Sequence, residues 1–299
     1  MAVSQFERAW IEQLFDEADR MATVRASDGI LRDRILATLF YEPSTRTRLS
    51  FESAMLRLGG TVVSTENARE FSSAIKGETV EDTVRIVAGY ADAIVIRHHE
   101  QGAARRAATV SPVPIINGGD GPGEHPTQAL LDLYTIRREL GRLDGLKVAL
   151  VGDLRFGRAA RSLAMLFRET QDTELLFVSP EAVRMNGDVR EALTASGVPF
   201  RDEPDLVKAM SEADVVYQTR IQKERFATPD EYEAVRGIYV ISPDSMASMK
   251  QDAILLHPLP RVDEITASVD ADPRAAYFRQ AHYGVYVRMA LLAQVLGAA

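Results

Sequence analysis

Along this chain, short runs rich in valine, isoleucine and leucine alternate with stretches whose apolar residues recur at helical spacing. The runs fall at 36–41, 61–65, 93–99, 113–117, 147–153, 174–180, 214–220 and 253–258. Strands that are apolar on both faces and separated by helical patterns predict an α/β fold of parallel sheets flanked by helices, because parallel strands need crossovers and helices supply them. Ahead of the first run, Phe6, Trp10, Leu14, Ala18 and Met21 keep helical spacing, and residues 274–296 carry Tyr283, Val287, Leu291 and Val295 in the same way. Both ends therefore predict packed helices.

The chain has 299 residues, more than the usual single core of roughly 100 to 200, so two domains are expected. The seam is placed close to Leu140, where the pattern HPTQALLDLYTIRREL closes and Gly141 and Gly145 punctuate the chain before the next strand. This divides it into 1–140 and 141–283, followed by the terminal helix. In such sheets ligands bind beyond the carboxyl ends of the strands, and a site shared by two domains would lie in the cleft between them.

Composition narrows the classes. Apolar residues make up 46% and charged residues 26%, as in ordinary globular proteins, and no apolar run approaches the ~20 residues that cross a bilayer. Glu7, Glu12, Asp16 and Glu17 interrupt the first segment, which suits an amphipathic helix and not a secretory leader, so a cytoplasmic location is expected. The chain has no cysteine, which excludes disulfides, thiolate metal sites and a cysteine nucleophile. A formal charge of -8 argues against nucleic acid as a partner and makes any gathering of basic groups a local site.

The densest such gathering is Phe40-Tyr41-Glu42-Pro43-Ser44-Thr45-Arg46-Thr47-Arg48, a strand that stops at a proline and gives way to a helical pattern. A helix start has unpaired N–H groups and a positive dipole end, so Ser44, Thr45, Arg46 and Thr47 offer amides, hydroxyls and a guanidinium to one anion. The alternative is a capped surface helix with solvated arginines. Arg97 ends a strand, where binding residues are presented or where an arginine pairs with a nearby acid. His125 and Gln128 flank Pro126 on one helical face. Lys76 sits in a Ser- and Gly-flanked stretch before a helix start marked by Glu78 and Glu81. VALVGDLRFGRAARSL lacks the dinucleotide spacing but places Arg158 at a helix start after Gly152 and Gly157, a placement suited to gripping a carboxylate. His257-Pro258-Leu259-Pro260-Arg261 follows an apolar strand, and its prolines fix a turn while leaving carbonyls outside the ladder.

Taken together these segments resemble the aspartate and ornithine carbamoyltransferases. YEPSTRTRLSFESAMLRLG, IVIRHHEQGAARRAA, NGGDGPGEHPTQALLDLYTI, VGDLRFGRAARSL, YQTRIQKER and LLHPLPRVDEI occur in the family's order and look like segments of its aspartate branch. The resemblance implies two α/β domains joined by helices that cross between them. The first, 1–140 completed by about 284–299, would take carbamoyl phosphate, and the second would take aspartate. It further implies that Ser44, Thr45, Arg46, Thr47 and Arg97 hold the phosphate, that Thr47, Arg97, His125 and Gln128 surround the carbamoyl group with Thr47, Arg97 and His125 directed at its carbonyl oxygen, and that the backbone of Pro258 and Leu259 meets the carbamoyl NH2. Arg158, Arg220 and Gln222, with Leu259 and Lys76, would meet aspartate. Ser72 and Lys76 would reach the neighbouring subunit's site in a homotrimer, and the bond into Pro260 would be cis. Ile75 stands where some relatives have a second lysine. Leucine at 259, where ornithine enzymes have cysteine, and the lack of an S-M-G segment favour aspartate.

The implied reaction needs no metal or cofactor. Orientation and electrostatics would carry it, with well-aimed donors to a developing oxyanion commonly worth ~3 to 4 kcal/mol each. Rival readings are a carbamoyltransferase for another amino acid, a nucleotide-binding oxidoreductase built on VALVGD, and an inactive scaffold subunit of a pyrimidine-pathway complex. The resemblance leaves room for regulatory chains or a dihydroorotase-like partner.

Overall fold

The structure, a computed structural model, describes residues 1–68, 76–223, 226 and 228–298. The described chain divides into two compact units, Met1–Leu130 with His282–Ala299, and Leu131–Ala281. The dividing points fall inside helices Pro126–Leu140 and Tyr277–Val295, so each of these helices contributes residues to both units.

In the first unit β1 (Ile35–Phe40), β2 (Thr61–Glu66), β3 (Ala93–His98) and β4 (Ile115–Asp120) form a parallel sheet in the order β2-β1-β3-β4. In the second, β5 (Lys147–Val151), β6 (Glu174–Val178), β7 (Phe200–Asp202), β8 (Val215–Gln218) and β9 (Ile254–Leu256) form another, ordered β7-β6-β5-β8-β9. All eight apolar runs become strands. β7 is the strand the pattern misses: Phe200-Arg201-Asp202 is too short and polar to register, and it lies at a sheet edge.

Burial explains the apolar runs. β3 and β4 are buried along their whole length, as are Val148–Val151 of β5, whereas edge strand β2 is half-buried at most. Ile94, Ile96, Leu39 and Val84 belong to the core of the first unit, and Val151, Leu176, Val216 and Leu255 to that of the second. Each such side chain stabilises its unit by roughly 1.5 to 3 kcal/mol on leaving water, so the central strands carry the folding energy. The amino-terminal helix runs Arg8–Met21, its entry packed by Phe6 stacked on Trp10 at 4.8 Å. The carboxy-terminal helix starts at Tyr277 and not at Arg274, because the Arg274 side chain binds Asp272 and the carbonyls of Met249 and Lys250.

Strand order sets where ligands can go. From β1 the chain moves to one side, to β2, and from β3 to the other, to β4, which leaves the carboxyl ends of β1 and β3 uncovered. In the second sheet β5 leads outward to β6 and β7, while β8 and β9 lie on the opposite side, which uncovers the ends of β5 and β8. These are the topological switch points at which doubly wound sheets bind ligands. At the second, Gly152 (φ +107°) lies so close to the next strand that a Cβ there would stand 2.2 Å from the Thr219 carbonyl oxygen. Gly152→Ala should therefore lower the thermal midpoint by roughly 5 °C or more, since backbone must shift and the conformation is strained. An unchanged midpoint in a calorimetric scan would show that the two strand ends are not held this tightly.

Candidate functional site

In the first unit the chain leaves β1 through Tyr41–Ser44 and enters helix Thr45–Arg57. Ser44 occupies the N-cap position, yet its side chain makes no capping hydrogen bond. The surface-helix alternative thus loses its main feature, and the first-turn amides still face outward with the dipole's positive end. Thr47 is buried, Ser44 half-buried, and Thr45 and Arg46 exposed. The helix is tied to the sheet by a different arginine. Arg48 reaches Glu52 at 3.3 Å and Glu66 at 2.9 Å, while Glu52 Oε1 accepts from Thr38 Oγ1 at 2.9 Å and Ser64 Oγ at 2.6 Å. Arg48 serves the fold, and Arg46 stays at the helix start.

Arg97 is the last residue but one of β3, in register with Phe40, and is 9% exposed. The acid beside it is Glu42, whose Oε2 lies 2.9 Å from Arg97 Nη2. Arg97 Nη1 donates to the Gly118 carbonyl at 3.3 Å and stands 3.5 Å from His125 Nε2. A guanidinium only donates, so that imidazole nitrogen is the acceptor in this contact. A guanidinium this buried needs an anionic partner, and half-buried Glu42 supplies one here.

The loop that delivers His125 is built by residues the sequence reading did not single out. Asp120 accepts the Gly102 and Glu124 amides at 2.9 Å each. Gly121 (φ +53°) passes so near His99 that a Cβ would stand 2.2 Å from its carbonyl oxygen. The run GGDGPG was the available signal. Gln128 is half-buried in the first turn of the following helix. The neighbouring His98 is a packing piece: its ring lies against Tyr41 and His99, and its Nδ1 accepts the Glu100 amide. Burial, reinforced by His99, lowers its pKa to about 4, so it is neutral at pH 7. Lys76 is exposed, ahead of helix Val80–Val87 whose Thr79 hydroxyl caps the Asp82 amide. Ser72 lies outside the described residues.

In the second unit Asp153, fully buried just past β5, holds two loops. Its carboxylate accepts the Phe156 amide at 2.8 Å and the Gln222 amide at 3.5 Å. Arg158 is thereby set at the start of helix Arg158–Leu166, half-buried, and Arg220 and Gln222, also half-buried, emerge after β8. Both loops leave from the switch-point strands. After β9 comes the turn His257–Arg261, with Leu259 in the left-handed region (φ +54°) and a cis Leu259–Pro260 bond, as the resemblance implies. Beneath the sheet, Tyr217 donates to Asp132 at 2.7 Å and Gln280 donates to the other oxygen of Asp132 at 2.6 Å, so this buried carboxylate is hydrogen-bonded on both sides. Asp153 and Asp132 are the residues here that sequence reading missed. Among the described residues, no group of three or more His, Cys, Asp or Glu could hold a metal ion, and no helix is long and apolar enough to cross a membrane.

Comparison with known proteins agrees with this geography. The family model described as "Aspartate/ornithine carbamoyltransferase, carbamoyl-P binding domain" matches residues 1–138, and the one described as "Aspartate/ornithine carbamoyltransferase, Asp/Orn binding domain" matches 144–295. The chloroplastic aspartate carbamoyltransferase of Arabidopsis thaliana is 60% identical over 296 residues, which span 98% of this chain and 76% of that one. A cytoplasmic location is thus not common to all relatives. Among solved structures, the catalytic subunit of M. jannaschii aspartate transcarbamoylase superposes with a TM-score of 0.92 at 47% identity, covering 99% of this chain and 97% of that one. The Trypanosoma cruzi enzyme in complex with N-(phosphonacetyl)-L-aspartic acid gives 0.91 at 43% identity, covering 97% and 93%. With both family models matched in order and relatives this similar along nearly the whole chain, the protein belongs to the aspartate/ornithine carbamoyltransferase family.

Proposed function

We propose that this chain transfers the carbamoyl group of carbamoyl phosphate to the amine of L-aspartate, giving N-carbamoyl-L-aspartate and phosphate, a reaction of pyrimidine biosynthesis. The observation that carries the choice of aspartate is the pair of arginines, Arg158 and Arg220, on two loops that one buried carboxylate, Asp153, ties together. Two cations suit two carboxylates. Ornithine offers one carboxylate and a side-chain ammonium, which a second arginine would repel.

In this reading the helix start at Ser44–Thr47 and the Arg97 guanidinium take the phosphate, with Glu42 giving way. Thr47, Arg97 and His125 face the carbonyl oxygen. Gln128 and the carbonyls of Pro258 and Leu259 meet the carbamoyl NH2. The neutral amine of aspartate attacks the carbonyl carbon, a C–N bond forms, the C–O bond to phosphorus breaks, and phosphate leaves with the amine proton. Positioning and fixed dipoles supply the acceleration. Arg158, Arg220 and Gln222 hold aspartate, and Lys76 assists from a neighbouring subunit together with Ser72, in a homotrimer. The exposure of Lys76 is what that role requires. The archaeal relative is named a catalytic subunit, which leaves room for regulatory chains here.

Purified chain given carbamoyl phosphate should carbamoylate aspartate and not ornithine, and Arg220→Ala should raise the aspartate KM by about 30-fold or more, as expected when one charged partner of a desolvated pair is lost. Product from ornithine, or an unchanged aspartate KM, would overturn the reading. Glu42→Gln should tighten inorganic phosphate binding by roughly threefold, because the anion no longer competes with a carboxylate for Arg97. Calorimetric titration measures this, and equal or weaker binding would remove Arg97 from the phosphate site.

A further inference from the structure

The turn after β9 is held from beneath by a histidine to which the reading above gives no task. The His257 side chain is 1% exposed. Its Nδ1 accepts the Leu259 amide at 2.7 Å, and its Nε2 lies 2.7 Å from Glu264 Oε1. A backbone amide can only donate, so Nδ1 carries no proton and the ring is the Nε2–H tautomer, donating to Glu264. Burial raises the Glu264 pKa, but its bonds from His257 and the backbone outweigh that and leave it lowered overall, so Glu264 is the ionised acceptor. Its second oxygen accepts the Val262 and Asp263 amides at 3.1 and 3.2 Å. The His257 backbone amide in turn donates to Gln280 Oε1 at 2.9 Å, which joins the turn to Asp132 and Tyr217. Every connection in this set lies within the second unit.

Leu259 needs such support. A non-glycine residue at positive φ is disfavoured by about 1 to 2 kcal/mol, and the Leu259 amide is turned inward, where an acceptor must meet it. His257 supplies that acceptor from two residues upstream, as an asparagine side chain does in an Asx turn. Fixing the Leu259 amide also fixes the peptide plane that bears the Pro258 carbonyl, one of the two assigned to the carbamoyl NH2.

Resting on the proposed carbamoyl transfer, we propose that His257 is a positioning residue: the tautomer set by Glu264 locks the Pro258–Leu259 peptide so that its carbonyl selects a carbamoyl NH2 over a group without N–H donors. The test compares His257→Asn, whose Oδ1 can replace the Nδ1 acceptor, with His257→Gln, whose longer amide can still reach Glu264 but leaves the Leu259 amide unmet. For each variant and the unsubstituted chain, the carbamoyl phosphate KM, the inhibition constant of acetyl phosphate, which carries a methyl in place of NH2, and the thermal midpoint are measured. His257→Gln should raise the carbamoyl phosphate KM by about tenfold, in line with the loss of one well-made hydrogen bond, and leave acetyl phosphate inhibition unchanged. His257→Asn should restore most of the discrimination. Equal weakening of both ligands, an unchanged KM in His257→Gln, or no recovery in His257→Asn overturns the proposal. An unsubstituted chain without carbamoyltransferase activity would instead sink the functional reading beneath it. If the variants fail to fold, 15N-histidine spectra of the unsubstituted chain, assigned by replacing the other four of its five histidines, decide the matter: a buried imidazole protonated at Nε2 supports it, and one protonated at Nδ1 overturns it.

Discussion

Two adjacent parallel strands whose connections depart to opposite sides leave their carboxyl ends uncovered, and the chemistry of this protein depends on that constraint. Everywhere else along a doubly wound sheet, the crossover from one strand to its neighbour closes over the ends. At the β1/β3 and β5/β8 positions nothing in the connectivity does so. A helix start, a buried guanidinium and two further arginines emerge from these strands or the loops that follow them, and His125 comes from the loop after β4, so that cationic and donor groups gather where doubly wound sheets bind ligands.

Placing charge there is costly unless each group has a partner that holds it without consuming it. Arg97 has Glu42 and the Gly118 carbonyl, and Asp153 has amides from two loops. Asp132 has a tyrosine and a glutamine. The carboxylates that are saturated with donors are structural. Glu42 is partly exposed and faces a guanidinium, and in the proposed reaction it is the one that an incoming anion displaces. Rigidity and reactivity are thus divided between neighbouring groups, which lets the donors be set in place before substrate arrives.

Most of the architecture was legible because its signals are local and repeated. Val, Ile and Leu runs marked every strand except β7, whose three residues hold one apolar side chain. The helix start at Ser44, the position of Arg97 one residue short of a strand end and the placement of Arg158 followed from spacing alone, and the roles proposed for Arg220, Gln222 and Leu259 came from likeness to a family. What escaped were long-range pairings. Nothing beside Asp153 in the sequence announces that it binds residue 222, and nothing beside His257 announces Glu264. Periodicity reports which face is buried, but the partner of a buried polar group is chosen by strand order. Arg48 illustrates the difference. It stands two residues from Arg46 in the same basic segment, and only the fold shows it committed to Glu52 and Glu66.

The central claim is that the uncovered strand ends bind the two substrates, and a crystal structure with N-(phosphonacetyl)-L-aspartic acid, the ligand present in the trypanosome complex, tests it most directly. The account predicts the phosphonate on the amides and hydroxyls of Ser44–Thr47 with Arg97 turned from Glu42, and the carboxylates on Arg158, Arg220 and Gln222. A ligand bound elsewhere, or both strand ends left empty at saturating concentration, would contradict it.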